Sequence, residues 1–306
     1  MKRPFRHTGL NVDRFEISAM RNALNPSYKF FVMKGNGYAS PVDGVYRPGS
    51  DNNDGLSWFT PFATIAKAIS KANALINWSG APWATNVEIH VAPGTYAENL
   101  TSVPYGAKVI GYGDAWDADG ERGVKIKPAS GSPVDVSSCV NVCWENIGFE
   151  SADTSRVFDS TVLNNTQFYH CRFAGAAEAT TSTAGIYTSD SVMLTVRDCR
   201  IEYVDCGIDF VYVDAGDSVT RLLVDRNFIT YISEAGIRIS ANLVVPASLI
   251  VDNYINGGGI ALAIGVDDNS GTDTIGVWGN HIDATDAIQG VTANVGGNYV
   301  GGSTIE

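Results

Sequence analysis

One short pattern of apolar and polar residues recurs through the second half of the chain. Each copy consists of an apolar residue, two mostly polar residues, an Asn or a Cys, any residue, and a second apolar residue. An earlier copy at 143–149 contains one additional residue. The other copies occupy residues 168–173, 196–201, 224–229, 250–255, 277–282 and 295–300. The Asn or Cys positions are Asn146, Cys171, Cys199, Asn227, Asn253, Asn280 and Asn298, and they are spaced by 25, 28, 28, 26, 27 and 18 residues.

Spacings in this range predict a repeat architecture. The copies are short, rich in β-branched and aromatic residues, and bounded by Gly, Asp, Ser and Asn, which indicates strands. A second strand that begins with a small residue recurs between them, at Gly185, Gly207, Gly236, Gly259 and Ala287. Two or three strands per repeat favour a parallel β-helix, in which equivalent residues form columns. We expect Asn in one column because it tolerates the left-handed conformation and its amide can bond the next Asn.

A turn-rich loop and an amphipathic segment precede the repeats. Residues 51–55 form the loop, and Thr60 is predicted to cap a helix with Pro61 at its first position. Apolar residues then recur at helical spacing, so this helix should cover the apolar end of the first repeat. We expect Asp51 and Asp54 to brace the loop by hydrogen bonds, with cation binding as the alternative.

Through its repeats, its Asn and Cys ladder and this loop and helix, the chain resembles the right-handed β-helix proteins of the pectin-lyase-like superfamily. The resemblance covers about residues 30–300, and the loop and helix look like the N-terminal cap of bacterial and phage members. It implies an all-β, right-handed parallel β-helix with coils of about 25–28 residues and an N-terminal capping α-helix. We distinguish a docking or oligomerisation arm at 1–28, a strand, loop and capping helix at 29–80, and the β-helix at 81–306. Lyases, hydrolases, esterases and non-catalytic viral spikes share this fold, so it does not define the function.

Charge and hydropathy exclude several functional classes. The 306 residues include 21 Lys and Arg against 33 Asp and Glu, which gives a formal net charge of −12 and a pI near 4.7. We expect no nucleic-acid binding because the sequence lacks a basic cluster. No run of about 18 apolar residues occurs, so no membrane span is predicted. The first residues are basic but lack a following apolar run, so we expect no secretory signal.

Two of the five cysteines, Cys171 and Cys199, occupy neighbouring ladder positions. They are close enough in principle for a disulfide. We expect small buried thiols that replace Asn, with the disulfide as the alternative. The spacing of Cys139 and Cys143 has no matching Cys or His pair, so zinc binding is not expected.

The residue after each ladder position should point outward and form a stripe. This stripe is basic at one end, with Arg172 and Arg200, and aromatic toward the other. Aromatic stripes stack on sugars or pack against a neighbouring chain, whereas a register error of one residue would place the rings in the core. The candidates for carbohydrate binding are Phe228, Tyr254, His281 and Tyr299.

A second outward row follows the small residues that begin the other strand. Its predicted members are Tyr187, Asp209, Arg238, Ala261 and Gln289. In the enzymes that the chain resembles, the equivalent strand carries the active groove. A glycosidase requires two carboxylates, and a lyase requires a base such as Arg near a carboxylate-bound calcium ion. Asp209 and Arg238 are the catalytic candidates in this row, and an ion pair across two strands is the alternative.

Acidic residues also cluster in a predicted insertion at 267–273 (DDNSGTD). Its oxygen ligands surround a glycine, which makes Asp267, Asp268 and Asp273 the candidates for Ca²⁺, the one cofactor that the sequence suggests. A polar surface loop is the alternative.

Among the strands before the repeats, we expect His90 to lie on a solvated surface.

These observations favour a non-catalytic structural protein of a phage virion, such as a tail spike, a fibre or a capsid-decoration subunit, that binds host-surface glycans. The arm at 1–28 would bind other virion or surface proteins. The last coil is short and glycine-rich and lacks a polar cap, so we expect another subunit to cover it, in a homotrimer by resemblance to viral spikes. Such a protein would assemble in the host cytoplasm and reside in the virion.

The alternative is an enzyme of a different class. It would be a polysaccharide lyase or a glycoside hydrolase that acts as a depolymerase on a cell-surface or plant-type glycan. In that case the protein would be secreted or carried on a phage. The fold permits this chemistry, and trimeric spikes also build sites between subunits.

Overall fold

The computed structural model of the chain describes residues 28–35, 38–39, 46–79, 87–116, 122–176, 182–214, 217–259, 262–270, 275–290, 295–301 and 303–305. The predicted docking arm, Ala261 and Asp273 therefore lie outside the described residues, apart from Tyr28 at the end of the arm. Apart from the helix α1 (Ile65–Ser79), the described regular structure consists of strands.

One sheet contains ten strands, and every neighbouring pair within it is parallel. In chain order they are β1 (Tyr28–Val32), β4 (Val87–Val91), β6 (Ala107–Gly111), β9 (Cys143–Glu145), β12 (Gln167–Tyr169), β16 (Thr195–Arg197), β19 (Leu223–Asp225), β21 (Ser248–Val251), β24 (Ile275–Trp278) and β27 (Val295–Gly296). The repeated sequence pattern supplies the later strands of this sheet. The apolar first residue of most copies is buried against the core.

The second sheet contains seventeen strands. They are β5 (Gly94–Tyr96), β7 (Val124–Ile126), β8 (Val134–Val140), β10 (Ile147–Glu150), β11 (Phe158–Asn164), β13 (Arg172–Ala174), β14 (Ser182–Thr188), β15 (Asp190–Val192), β17 (Arg200–Phe210), β18 (Val219–Thr220), β20 (Phe228–Ile239), β22 (Tyr254–Asn256), β23 (Ile264–Asp268), β25 (His281–Asp283), β26 (Asp286–Gln289), β28 (Asn298–Val300) and β29 (Ser303–Ile305). Two described pairs are antiparallel, β28 with β29 and the separate pair β2 (Tyr38–Ala39) with β3 (Tyr46–Arg47).

The chain passes repeatedly from the first sheet to the second, and each strand pairs with its equivalent in the next repeat. For example, β12 pairs with β16, which is the next strand of the same sheet one repeat later. The prediction of an all-β chain with long parallel sheets and little helix is confirmed. The arrangement is consistent with a parallel β-solenoid, in which stacking of repeats buries apolar side chains that no single repeat could bury.

The interior is a column of apolar side chains between the two sheets. Trp144, Phe149, Phe158, Phe168 and Phe173 are completely buried. The rings of Phe149 and Phe173 stack with centroids 5.2 Å apart, and Phe168 meets the edge of Phe173 at 5.3 Å. Such aromatic pairs add about 0.5–1.5 kcal/mol beyond the burial of their surface. Aliphatic residues fill the later repeats of the same core.

A column of small residues runs through the second sheet. A Cβ atom added to Gly185, Gly207 or Gly236 would lie 2.4–2.6 Å from the carbonyl oxygen of the next glycine in the column. Only glycine fits at that distance, so these positions are fixed by the close approach of two backbones. The fourth member is Gly265, followed by Ala287. The predicted member Gly259 was therefore wrong, because the loop before this strand is longer than the sequence pattern indicated.

Asparagine side chains form a buried ladder along the solenoid. The amide nitrogen of Asn227 donates to Val196 O at 2.9 Å and to Asn253 Oδ1 at 2.9 Å. Asn253 and Asn280 repeat both bonds one step further along, and Asn298 donates to Val277 O. Each Asn oxygen also accepts the backbone N–H of the preceding ladder residue, including that of Cys199. The ladder thereby satisfies buried backbone groups at every turn.

The left-handed residue of these turns is not the asparagine itself. Arg226 and Asp252 have φ values of 54° and stand immediately before Asn227 and Asn253. Gly279 and Gly297 occupy the same place before the last two ladder residues. Asn146 alone in the ladder has a positive φ, of 58°. The expectation that Asn is selected for its conformation was therefore wrong for most of the column, and its hydrogen bonds explain it instead.

None of the five cysteines forms a disulfide. Cys171 and Cys199 are buried in the ladder, where the thiol of Cys171 donates to Trp144 O at 3.5 Å. Burial and the neighbouring Cys199 raise the pKa of the Cys171 thiol well above its ordinary value. Burial likewise raises the pKa of Cys139 to about 12. The thiols of the two ladder cysteines therefore serve as small buried groups, as the sequence favoured.

The cap helix starts later than the sequence pattern indicated. Thr64 caps α1, because its hydroxyl accepts the N–H of Lys67 at 3.2 Å. Phe62 instead makes a parallel bridge with β1 and lies fully buried. The N–H groups at the start of the helix have no partner within the helix and donate to two carboxylates instead. Asp51 accepts from Ala63 and Thr64, and Glu98 from Ile65 and Ala66, at 2.8–3.0 Å.

The loop before the helix is attached to the outside of the first sheet. Asp54 accepts hydrogen bonds from Leu56 N and Thr60 Oγ1, which is the bracing role expected for it. Trp58 packs edge-on against Phe31 and Tyr112 at 4.9 and 5.5 Å. The loop thereby covers part of the outer face of the first strands.

His90 lies beneath this loop and is 7% exposed, so the expected solvated histidine was wrong. Its ring stacks on Phe31 at 5.3 Å, and its two nitrogens bond Tyr112 Oη and Glu88 Oε2. The hydrogen bond from His90, together with Lys29, lowers the pKa of Glu88 to about 2. The sequence showed that His90 faces outward but not that a distant loop covers it.

Replacing Asn253 with alanine should lower the free energy of unfolding by about 2–4 kcal/mol, because the change leaves several buried polar groups without partners. Urea denaturation followed by circular dichroism measures this change. The control is Asn52→Ala, at an exposed loop position, which should change stability by less than about 0.5 kcal/mol. A loss at Asn253 no larger than that of the control would contradict a stabilising ladder.

Replacing Glu88 with glutamine should make stability less dependent on acid pH. The pKa of Glu88 is about 2 in the folded chain against 4.5 ordinarily, so its stabilisation is complete above pH 4.5 and is lost as the pH falls toward 2. Because the side chain is partly exposed, we expect a difference of about 1–2 kcal/mol at pH 7. Urea denaturation of both proteins from pH 7 to pH 2 tests this. A difference that stays constant over that range would contradict the assignment.

Candidate functional site

A row of outward-facing side chains runs along the second sheet, and we call it the outer row. The strand register aligns each member with the next. Its members are Asp135, Asp159, Tyr187, Asp209, Arg238, Asp267 and Gln289. Neighbouring members sit on strands about 4.8 Å apart, so their charges interact directly.

The sequence pattern found four members of this row and missed its beginning and one later member. Tyr187, Asp209, Arg238 and Gln289 were predicted members, but Asp267 occupies the position assigned to Ala261. Asp135 and Asp159 were missed because their strands lack the glycine that marks the later ones. The alternation of apolar and polar residues around Asp135 was the available signal.

Asp209 and Arg238 form a two-point ion pair between adjacent strands. Arg238 Nε and Nη2 donate to the two oxygens of Asp209 at 2.9 and 2.8 Å, and Nη1 donates to Glu234 at 3.0 Å. These bonds raise the pKa of Arg238 above its usual range, which prevents it from acting as a base. The geometry therefore favours the ion pair, the alternative to catalysis for these two residues.

A shallow groove of about 400 Å³ lies over the first part of the outer row. Asp135, Asp159, Arg156 and Tyr187 contribute its charged and aromatic lining. Arg156 Nη1 donates to both oxygens of Asp159, at 3.2 and 3.0 Å. The guanidinium carbon lies 3.2 Å from the centre of the Tyr187 ring, which places the cation over the aromatic face.

The two carboxylates of the groove have different environments. Burial raises the pKa of Asp159, as does the charge of Asp135, and Arg156 opposes both effects. Asp135 is exposed. Carboxylates whose environments differ can divide the roles of acid and nucleophile, and glycosidases that retain configuration place theirs about 5–5.5 Å apart. The register therefore places two carboxylates with different environments in the groove, a pair that the sequence interpretation did not find.

The predicted aromatic stripe forms a stacked column, which we call the aromatic ladder. Its members are Phe228, Tyr254, His281 and Tyr299. Successive ring centres are 4.9, 4.9 and 4.7 Å apart, with planes within 25° of parallel. Because the rings face each other, they present mainly their edges to solvent. Sugar stacking needs a free ring face, so this arrangement favours a stabilising contact between repeats.

The basic end of the same stripe is neutralised by carboxylates. Arg172 is 6% exposed and binds Glu202 at 2.7 Å and Glu150 at 3.5 Å. Arg200 binds the other oxygen of Glu202 at 2.6 Å. Lys127 and Lys125 complete the network around Glu150. These charges hold successive strands together rather than forming an open basic surface.

The two described calcium candidates lie in a strand and not in a loop. Asp267 and Asp268 lie in β23 and are 7% and 3% exposed. Asp267 accepts a hydrogen bond from Asn269 Nδ2 at 2.7 Å, and Asp268 accepts one from Ser270 N at 3.0 Å. The predicted insertion was wrong at these two positions. Among the described residues, no group of three or more His, Cys, Asp and Glu side chains is placed to hold a metal ion.

No family model matches the chain, and searches of curated proteins and of solved structures found no match at the threshold applied. Any functional assignment therefore depends on the sequence pattern and on the geometry described above. Among the described residues, no helix is long and apolar enough to cross a membrane.

Replacing Arg238 with methionine should lower the free energy of unfolding by about 2 kcal/mol or more, because the carboxylate of Asp209 then remains largely buried without a partner. The double variant with Asp209→Asn should recover part of this loss, since it removes the unpaired charge. Chemical denaturation of the two single variants and the double variant gives the coupling energy, which we expect to exceed about 1 kcal/mol. Strictly additive losses would contradict the ion pair.

Proposed function

We propose that the chain is a right-handed parallel β-helix protein of the pectin-lyase-like type and that it serves as a non-catalytic structural component of a phage virion. It would act as a tail spike, a fibre or a capsid-decoration subunit that binds a host-surface glycan. The observation that carries the proposal is that outward side chains on successive repeats bind one another. These columns of outward side chains thereby hold the repeats in line.

The fold part of the proposal has two supports. The long pairings between repeats are parallel, and the capping loop and helix match the pattern that the sequence shares with phage β-helix proteins. The right-handed sense is supported by a general preference, since crossover connections between parallel strands of one sheet are right-handed in about 98% of cases.

The structural role is supported by the bonds between repeats. Arg226 forms a two-point ion pair with Asp198 of the preceding repeat, at 2.8 Å for both contacts. Other contacts also link one repeat to the next along the solenoid axis. They are the aromatic ladder, the Asn ladder and the ion pair of Asp209 with Arg238. Bonds aligned along one axis stiffen a rod, which suits a protein that must keep its shape in a virion.

The remaining parts of the proposal come from the resemblance. Residues 1–28 would bind other virion proteins, and three copies would associate into a trimer. The protein would be assembled in the host cytoplasm and reside in the virion. The glycan would lie in the groove of Asp135, Asp159 and Tyr187 rather than on the aromatic ladder, because the groove has exposed polar groups and the ladder presents ring edges.

A glycoside hydrolase is the second candidate function, and the pairing of Asp135 with Asp159 favours it. Both carboxylates point into one groove from adjacent strands, and their environments differ. The groove favours hydrolysis over the lyase reaction. A lyase needs an available base, whereas Arg156 already binds Asp159 through a two-point contact.

The mass of the purified full chain by light scattering, together with its activity on a panel of polysaccharides, tests these functions. We expect a stable oligomer that releases no reducing or unsaturated ends. A monomer that cleaves a polysaccharide would contradict the structural role. The hydrolase would then require that Asp135→Asn and Asp159→Asn each abolish cleavage by more than about a hundredfold. Asp283→Asn, which removes an exposed carboxylate outside the groove, should leave it unchanged.

A further inference from the structure

The groove has an excess of negative charge that nothing in its lining neutralises. Asp135 is exposed, and its carboxylate has no hydrogen bond or ion pair to another described residue. The positive group in the lining is Arg156, and its contacts are with Asp159 and with the ring of Tyr187. The charge of Arg156 is therefore paired within the protein. The carboxylate of Asp135 remains available to a ligand.

Two further carboxylates, Asp214 and Asp217, follow the groove-lining Val213 in the chain. Val213 lines the groove and is 56% exposed. The carboxylate of Asp217 accepts the N–H groups of Val213 and Asp214, both at 2.8 Å, which fixes this loop end beside the groove. Asp214 is itself exposed. The described lining thus has two carboxylates against one guanidinium, and two more carboxylates follow Val213 in the chain.

We propose that the groove binds a glycan that carries free amino groups, with a protonated amine paired to Asp135. This inference rests on the proposed glycan binding and names the class of glycan. A cleft with charges of one sign concentrates ligands of the opposite sign, and a carboxylate forms a charge-assisted hydrogen bond with an ammonium group. The exposed hydroxyls of Ser137 and Thr161 are available to sugar hydroxyls, and Val213 offers an apolar contact.

The same charges exclude a polyuronate. A glycan with a carboxylate on each sugar would bring like charges against Asp135 and Asp214, and no described cation in the groove is free to compensate. An uncharged glycan would make the hydroxyl contacts but would gain nothing from the carboxylates. The order of affinity should therefore be amino glycan, then neutral glycan, then polyuronate.

Three oligosaccharides that are equal to one another in length test this order. Their binding to the full chain is measured by calorimetry. The probes are a β-1,4-linked glucosamine oligomer, its fully N-acetylated form and a galacturonate oligomer. We expect the glucosamine oligomer to bind about tenfold more tightly than the acetylated form. This advantage should shrink as salt rises from about 0.05 to 0.5 M, because exposed charges are screened.

Two matched variants separate the groove from the general acidity of the protein. Asp135→Asn should weaken binding of the glucosamine oligomer by about twofold to fivefold, the effect of one exposed ion pair. Asp283→Asn removes one charge elsewhere on the surface and should leave the affinity unchanged. Equal losses in the two variants would mean that the polycation binds a protein of net charge −12 without using the groove, which would overturn the inference.

The remaining outcomes distinguish the class of glycan from the glycan binding itself. Tighter binding of the galacturonate oligomer, strengthened by Asp135→Asn, would overturn the inference and leave glycan binding in the groove intact. Equal affinities for the glucosamine oligomer and its acetylated form would also overturn the inference and leave glycan binding in the groove intact. If none of the three probes binds, both this inference and the glycan-binding part of the proposed function fail.

Discussion

The rest of the structure depends on the parallel register between one repeat and the next. Partner residues stand about 4.8 Å apart, so each position in a repeat is continued as a column along the solenoid. Asn227 therefore meets Asn253, Phe228 meets Tyr254, and Asp209 meets Arg238. A single residue contributes little in isolation, but a column satisfies its own hydrogen bonds, ring faces or charges at every step.

This register explains which features could be predicted from the sequence. The Asn column and the aromatic ladder lie at fixed offsets within one short phrase, so locating the phrase located both of them. The second strand of each repeat follows a connection of variable length, and counting from the phrase failed there. Gly259 and Gly265 are both candidates by residue type, and the close approach of Gly265 O to Gly236 assigns the position to Gly265 in a way that the sequence does not record.

The other errors have a common cause in contacts between distant parts of the chain. Phe62 looks like the start of a helix, but it bridges to β1 and delays the helix to Ile65. His90 alternates outward as predicted, yet Trp58 arrives from a loop about thirty residues earlier and covers its surroundings. Local patterns determine which face a residue occupies. They do not determine whether another segment lies on that face.

The first part of the outer row differs from the rest in the order of its charges. From Tyr187 onward the row follows the rule of opposite charges, because Arg238 stands between Asp209 and Asp267. At its beginning Asp135 stands directly opposite Asp159, and like charges in that position are destabilising. Arg156 offsets part of this repulsion through Asp159 but leaves Asp135 exposed. This arrangement works against the stability of the solenoid, and such local conflicts are typical of functional sites. Binding a positively charged group would remove the conflict.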